Sequence, residues 1–506
     1  MVSKPVLVTG ATGYVGGRLI PLMLESGYRV RALARSLAKL RSRPWSGHPH
    51  VEMVQGDVLD LDSLKNAASG CRVAYYLVHS MVAQKRHFAE ADRSNELQAA
   101  LNMAVAATEA GLERIIYLSG IGDSHSAALS KHLQSRHEVG KILQSGMVPC
   151  TILHAAMILG SGSASFEILR YLVERLPVMI TPGWVFTPCQ PIAIRNVLNY
   201  LVGCLEHPET SGQVYDIGGP EVLNFRQIID IYAEAAGLAR RWVIPVPFFT
   251  PILSAYWIQL VTPVPSSIAV PLAQGLSTPG ICSENRIRSI VPQELLSCRE
   301  SIRLALERLT QDRMDTCWMD AGLLLPPEWA YCGDAEYAGG TVMQCGFRVV
   351  LKASIEQVWT PISRIGGKNG WYYASFLWQV RGLMDRLSGG VGLRRGRRSA
   401  SRLYTGDALD FWRVLEVDAP HRLTLLAEMK TPGDAILEIQ LAPQPDGLTQ
   451  LQLLSRFMPR GLVGILYWYL LVPFHEMIFS GMLRAIARTV GQPIVSGPER
   501  FTRRIS

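Results

Sequence analysis

The chain predicts an α/β fold in two parts: a doubly wound parallel sheet with an apolar extension covering it, then an α+β domain of helix-grip type. Three observations carry this. The apolar run Val6-Leu7-Val8-Thr9 is followed at once by Gly10-Ala11-Thr12-Gly13-Tyr14-Val15-Gly16. Apolar strand-like runs then alternate with amphipathic helix-like runs to residue 154, the grammar of a parallel sheet. Beyond Ala338-Gly339-Gly340, alternating runs are separated by Pro, Gly and Asp turns, as in an antiparallel sheet.

The glycine run predicts a strand-to-helix turn, with the helix reaching about residue 26. Its three glycines permit a tight turn, close approach of backbone to a pyrophosphate, and close helix–strand packing. The helix start then offers free amides and a favourable dipole to an anion. A second strand, residues 29–34, ends at Arg35-Ser36. NAD-binding folds carry an acid here for the ribose 2′-hydroxyl. A cation in its place reads as a partner for a 2′-phosphate, so the expected cofactor is NADP(H). Gly56-Asp57-Val58 closes a third strand, where an adenine ring would lie. Further strands are expected over 73–78, ending in His79-Ser80, over 115–118, ending in Ser119-Gly120, and over 150–154. Helices are expected over 62–68, 90–110 and 133–145. Because ligands bind at the carboxyl ends of parallel strands, Asp57, Val58, Leu77, Val78, His79, Ser80, Ser119 and His154 become site candidates. They join Gly10, Thr12, Gly13, Tyr14, Val15, Gly16, Arg35 and Ser36 of the clamp. His154 shows no distinctive partner in the sequence and reads first as packing. Period two puts Tyr75 and Tyr76 on opposite sheet faces, which favours core roles for both.

The second part predicts a strand over 348–352, a helix opening at Ile355, and a meander over 411–417, 422–428, 435–441 and 448–456. A long helix over 463–490, bent at Pro473, closes it. The expected domains are therefore 1–240, 241–337 and 341–495. A chain of 506 residues is long enough for two or three.

Composition narrows the function classes. With 48% hydrophobic residues the chain is a folded globular protein. Its net charge of +8 is dispersed except for Arg394-Arg395-Gly396-Arg397-Arg398; no nucleic-acid motif accompanies it, so no nucleic-acid partner is expected. The basic run reads as a solvated loop, or one that meets a phosphate or an anionic membrane surface. Nine cysteines without a CxxC pair give no metal spacing and no disulfide framework. With strand one beginning by Pro5, no signal peptide fits, and a cytoplasmic location is expected. Leu462 to Phe474 is apolar for only about 13 residues, short of the ~20 a membrane span needs. Prolines break the apolar stretch 242–273, including Trp242 and Trp257, which would roof a pocket. Peripheral membrane contact stays compatible with these features, and the sequence fixes no oligomeric state.

The clamp, Gly56-Asp57, Tyr117-Leu118-Ser119-Gly120 and Gly218-Gly219-Pro220 together resemble atypical and extended short-chain dehydrogenase/reductases. The nearest look is the NmrA-like branch, which includes an accessory subunit of respiratory complex I. Residues 341–495 resemble the START/polyketide-cyclase superfamily, through Glu356-Gln357-Val358-Trp359, Gly406-Asp407, Phe411-Trp412-Arg413-Val414 and Phe457-Met458-Pro459-Arg460-Gly461. The first resemblance implies a Rossmann sheet and a nicotinamide cofactor. It also implies a Tyr-x-x-x-Lys pair on the helix after the Ser119 strand, where the phenol donates a proton. Here that stretch is His132-Leu133-Gln134-Ser135-Arg136-His137-Glu138-Val139-Gly140-Lys141. Either His132 and Arg136, or His137 and Lys141, take the two places. Ser119, His132, Arg136 and His79 are the catalytic candidates.

Two functions follow. One is an NADP(H)-dependent oxidoreductase for a hydrophobic carbonyl, enone or quinone-like substrate, held partly by the cup domain. The other is a non-catalytic NADPH-binding protein that carries a lipid or quinone, assists assembly or senses redox state. The aromatics Trp359, Trp371, Tyr372, Tyr373, Trp378, Trp412, Trp468 and Tyr469 read first as core, while Glu428 and Asp407 are candidates to line a cavity.

Overall fold

Strand one forms where four apolar or β-branched residues meet: β1 (Val6–Thr9) is buried along its length. The computed structural model describes residues 4–78, 90–122, 131–246, 274–275, 278–310, 342–387, 390–394, 397, 399, 401–459 and 461–501. The chain divides into two compact units, Met1–Gly322 and Leu323–Ser506.

In the first unit β1 is followed by α1 (Gly16–Glu25), β2 (Val30–Ala34), α2 (Leu37–Arg41), β3 (Val51–Gln55), α3 (Leu61–Ala68) and β4 (Val73–Tyr76). Then come α4 (Glu90–Glu109), β5 (Arg114–Gly120), α5 (Lys131–Ser145), β6 (Cys150–Ala155), α6 (Ala164–Arg175), α7 (Ile194–Glu206), β7 (Val214–Ile217) and α8 (Phe225–Ala235). The seven strands pair in the order β7-β6-β5-β4-β1-β2-β3, all parallel. This is the doubly wound Rossmann sheet, with its switch point between β1 and β4.

Alternation splits the core in two. Val6, Val8, Tyr75 and Ile116 join one cluster with Leu19, Val197 and Leu201. Leu7, Ala74, Tyr117 and Ile152 join the other with Met103, Val139 and Leu143, beneath α4 and α5. Tyr75 and Tyr76 fall on opposite faces as core residues, and the Tyr75 hydroxyl donates to the Leu201 carbonyl at 2.8 Å. β4 ends two residues earlier than the sequence suggests. The Leu77 amide leaves the ladder to donate to Thr9 Oγ1 at 3.3 Å. Trp242 lies on a short strand, Trp242–Pro245, paired with Val178–Thr181; at 74% exposure it does not roof a pocket. Trp257 lies outside the described residues.

The second unit opens with β8 (Met343–Leu351), α9 (Ile355–Ser363) and α10 (Ser375–Leu387). A capping box between Ser354 and Gln357 starts α9. The meander follows as β9 (Ala408–Leu409), β10 (Trp412–Asp418), β11 (Arg422–Ala427), β12 (Gly433–Gln444) and β13 (Leu448–Pro459), and α11 (Gly461–Val490) packs against it. The chain does not stop at that helix: β14 (Ile494–Phe501) pairs antiparallel with β8. The order is β9-β10-β11-β12-β13-β8-β14. The sequence hid β14 because it contains Gly497 and Pro498 and is largely exposed, so it shows no apolar alternation.

Two further expectations change. From Val463 to Val490 the last helix is long and apolar enough to cross a membrane by length and composition, not limited to a 13-residue apolar patch. Its second half nevertheless buries Ile478, Phe479, Met482, Leu483, Ile486 and Ala487 in the core, while Val463, Leu466 and Leu470 face outward. Within the basic run Arg397 is not a solvated cation either, while Arg395, Gly396 and Arg398 lie outside the described residues. Arg397 donates to the carbonyls of Ile365, Ser363, Ser399 and Arg402 at 2.6, 2.6, 2.8 and 3.1 Å, clasping the loop. Most of the aromatics build core, as Trp371, Trp378, Phe411 and Trp412 pack ring on ring, but Tyr469 lies exposed on the last helix. Glu428 pairs with Arg413 at 3.0 Å, and Asp407 accepts the Tyr404 amide.

Candidate functional site

The clamp forms where β1 turns into α1. Gly10 adopts φ +70°, and a Cβ there would meet the Leu77 carbonyl oxygen at 2.7 Å. A Cβ on Gly16 would stand 2.4 Å from the Gly10 carbonyl oxygen. The helix start therefore sits against the turn at a distance only glycine permits. Val15 occupies the cap position and no side chain caps the helix there; the Gly17 and Arg18 amides already donate to the Gly13 and Val15 carbonyls at 3.0 and 3.1 Å, so an anion would meet the turn ahead of them, at the Tyr14, Val15 and Gly16 backbone. Leu77 and Val78 cross over Gly10 at the switch point. Tyr14 turns elsewhere: its ring lies under the Arg18 guanidinium at 4.8 Å, and Arg18 donates to the Ser161 carbonyl at 2.7 Å. Only the Tyr14 backbone belongs to the turn.

At the adenosine side, Arg35 ends β2 and Asp57 follows β3. Arg35 has an exposed side chain; desolvation draws its pKa down, and the Asp57 charge opposes that shift. Asp57 also accepts the Leu59 amide at 3.0 Å, and Asn102 donates to the Val58 carbonyl at 3.0 Å. The Ser36 hydroxyl caps α2 by accepting the Lys39 amide at 3.4 Å. Sequence reasoning missed Arg43. It is buried, and its guanidinium donates to the Thr12 carbonyl at 3.1 Å, inside the glycine turn. Its place, eight residues beyond Arg35 on a basic helix end, was the available signal.

The third cluster lies at the far ends of β5, β6 and β7. Ser119 is registered beside His154, and His154 beside Asp216, so the three side chains share the face that α5 covers. His154 Nδ1 lies 3.3 Å from Asp216 Oδ1. The other oxygen of Asp216 accepts the Ser283 amide at 2.8 Å and hydroxyl at 2.6 Å. Burial alone would raise this carboxyl, but the hydrogen bonds from His154 and Ser283 outweigh it and hold its pKa below the ordinary value. From α5, the His137 ring meets the His154 ring edge to face at 5.3 Å. Burial and then His154 depress the His137 pKa.

The structure thus corrects the view of His154 as a residue without a partner. Arg136 stands over Gly120, and its carbonyl accepts the Tyr117 hydroxyl at 3.3 Å. His132 is buried in the first turn of α5. His79 and Ser80 lie outside the described residues. Asp216 becomes a site residue through strand order, which the sequence does not display.

The NmrA-like family model matches residues 2–261. A second model, described as a protein of unknown function (DUF2867), matches residues 339–482. The chain is 27% identical over 296 residues to a putative dihydroflavonol 4-reductase of Synechocystis, covering 52% of this chain and 82% of that protein. It is 22% identical over 251 residues to the Dictyostelium discoideum NADH dehydrogenase [ubiquinone] 1 alpha subcomplex subunit 9, covering 47% of this chain and 66% of that subunit. The Citrobacter triphenylmethane reductase complexed with NADP(H) superposes with a TM-score of 0.48 at 18% identity, over 59% of this chain and 99% of the reductase. The glycine clamp heads a parallel seven-stranded sheet, and the family match spans just over half the residues; the chain belongs to the NmrA-like family of NAD(P)-binding proteins and carries a C-terminal domain of START/polyketide-cyclase type.

Proposed function

We propose that the protein is an NADP(H)-dependent reductase of a hydrophobic carbonyl, enone or quinone-like compound. One observation carries the cofactor choice: Arg35 directly follows the end of β2, where an adenosine 2′-phosphate belongs, and the Arg43 guanidinium reaches the Thr12 carbonyl of the clamp. The residues fit a dinucleotide. Gly10, Gly13 and Gly16 with the uncapped α1 receive the pyrophosphate, Asp57 and Val58 the adenine, and Leu77 and Val78 the passage over the switch point. A bound nicotinamide supplies or accepts hydride. The chain's own residues orient it, and Ser119 with His154 face the reacting carbonyl. The reductase named among the relatives supports this class of reaction.

Fluorescence titration of NADPH and NADH tests the cofactor reading. NADPH binds tighter in the wild type, and Arg35→Ala weakens NADPH about 10- to 100-fold, equivalent to about 1.4–2.7 kcal/mol, while leaving NADH within about threefold. Equal wild-type affinity for the two nucleotides would overturn it. A broad carbonyl and quinone panel that yields no turnover despite tight NADPH binding would favour the non-catalytic alternative.

A further inference from the structure

We propose that His154, oriented by Asp216, is the acid that protonates the substrate's carbonyl oxygen, in the role left open by the absent tyrosine. This inference rests on the reductase reading and adds its proton donor. His154 ends β6 in register with Ser119 on one side and Asp216 on the other. An imidazole whose Nδ1–H is held by a carboxylate keeps Nε2 for exchange with a ligand, and the carboxylate steadies the imidazolium. Asp216 is itself fixed by Ser283, while its own amide donates to Glu284 Oε1 at 2.9 Å. His154 Nδ1 therefore meets an acceptor that is already positioned.

The competing donors are weaker on geometry. His132 is buried in the first helical turn. His137 packs edge-on against His154; burial first, and after it the neighbouring His154, Lys141 and Arg136, favour its neutral form. Nor is the Ser119-His154-Asp216 row a nucleophilic triad. Ser119 is 1% exposed, and among the described residues its hydroxyl makes no hydrogen bond to His154. A serine activated for attack needs that bond.

The step balances. Hydride from the reduced nicotinamide forms the new C–H bond at the carbonyl carbon as the C=O π bond breaks. The oxygen takes the proton from His154 Nε2 to give the alcohol, and His154 is reprotonated from solvent. His154 is thus the catalytic acid, and Asp216 a positioning residue.

The test uses the full-length protein with NADPH and a panel of hydrophobic aldehydes and ketones led by cinnamaldehyde, together with nitrogen-15 NMR of the histidine rings in cofactor-free protein. His154→Gln should lower kcat roughly 100- to 1,000-fold with NADPH affinity unchanged. Asp216→Asn should move the pH at which kcat/KM falls toward the acid side by about one unit, with the same shift in the His154 NMR titration. A structural role alone would move neither midpoint. In the wild type the NMR should show the proton of neutral His154 on Nδ1. Should His154→Gln keep kcat within threefold, or should His154 titrate identically in Asp216→Asn, the inference is overturned. Failure of the wild type to bind NADPH would sink the reductase reading and the inference with it, whereas a normal NADPH affinity with an indifferent His154 sinks the inference alone.

Discussion

Gly16→Val should abolish measurable NADPH binding, with a dissociation constant raised at least about 100-fold, or about 2.7 kcal/mol, and should lower the melting temperature of the N-terminal unit. The reason is contact between backbones. A Cβ at residue 16 would sit 2.4 Å from the Gly10 carbonyl oxygen and 3.0 Å from its carbon, so no side-chain rotation relieves it. Valine also adds γ-carbons, forcing α1 away from the turn and carrying off the amides that face the anion. Gly47→Ala is the control, because nothing lies within 4 Å of a Cβ there. Isothermal titration calorimetry and thermal melts read both variants. Gly16→Val binding NADPH within threefold of the wild type would remove the clamp from the account of this protein.

Acidification should weaken the C-terminal unit well before its carboxylates titrate. His475 on α11 stacks on Phe479 at 5.3 Å and meets Trp468 edge on at 5.4 Å. Among the described residues its Nδ1 is buried without a hydrogen-bond partner. Burial pushes its pKa down from 6.5 to about 4. The folded form thus holds neutral imidazole while the unfolded chain binds a proton near pH 6.5. The linked stability is complete above pH 6.5 and is lost progressively as pH falls toward 4, by up to about 3 kcal/mol. Urea midpoints of the C-terminal unit measured at pH 7 and pH 4.5 should separate, and His475→Phe, which keeps the stacked ring, should bring them together. A wild-type midpoint that does not move over this range would show that His475 binds its proton as readily in the fold as in the unfolded chain.

Much of this was legible along the chain because its causes are local. Glycine spacing specifies the turn, apolar runs specify the parallel strands, and Pro and Asp-Gly turns delimit the meander. What escaped depends on distance in sequence. His154 and Asp216 meet only because β7 joins the sheet next to β6, and nothing around either residue announces the other. Arg43 reaches back across α2 to Thr12, a contact set by the helix's length and direction rather than by a motif. Arg397 resembled an exposed cation because its four acceptors are main-chain carbonyls, which leave no trace in composition. The registration of α5 was ambiguous for a related reason: a histidine stands in either tyrosine place, and only the packing against β6 separates them.

The flanks of the C-terminal sheet restrict how another molecule can engage this unit. One margin is β9, just two residues long; the other is β14, with Gly497, Pro498, Glu499 and Arg500 in sequence. A short rim and a proline-bearing, charged rim both discourage an incoming chain from extending the hydrogen-bonded ladder. Recruitment by backbone zippering is therefore disfavoured at either side, and the runaway stacking that open β-rims invite is suppressed. A protein that docks on this unit must read side chains on its helices and loops.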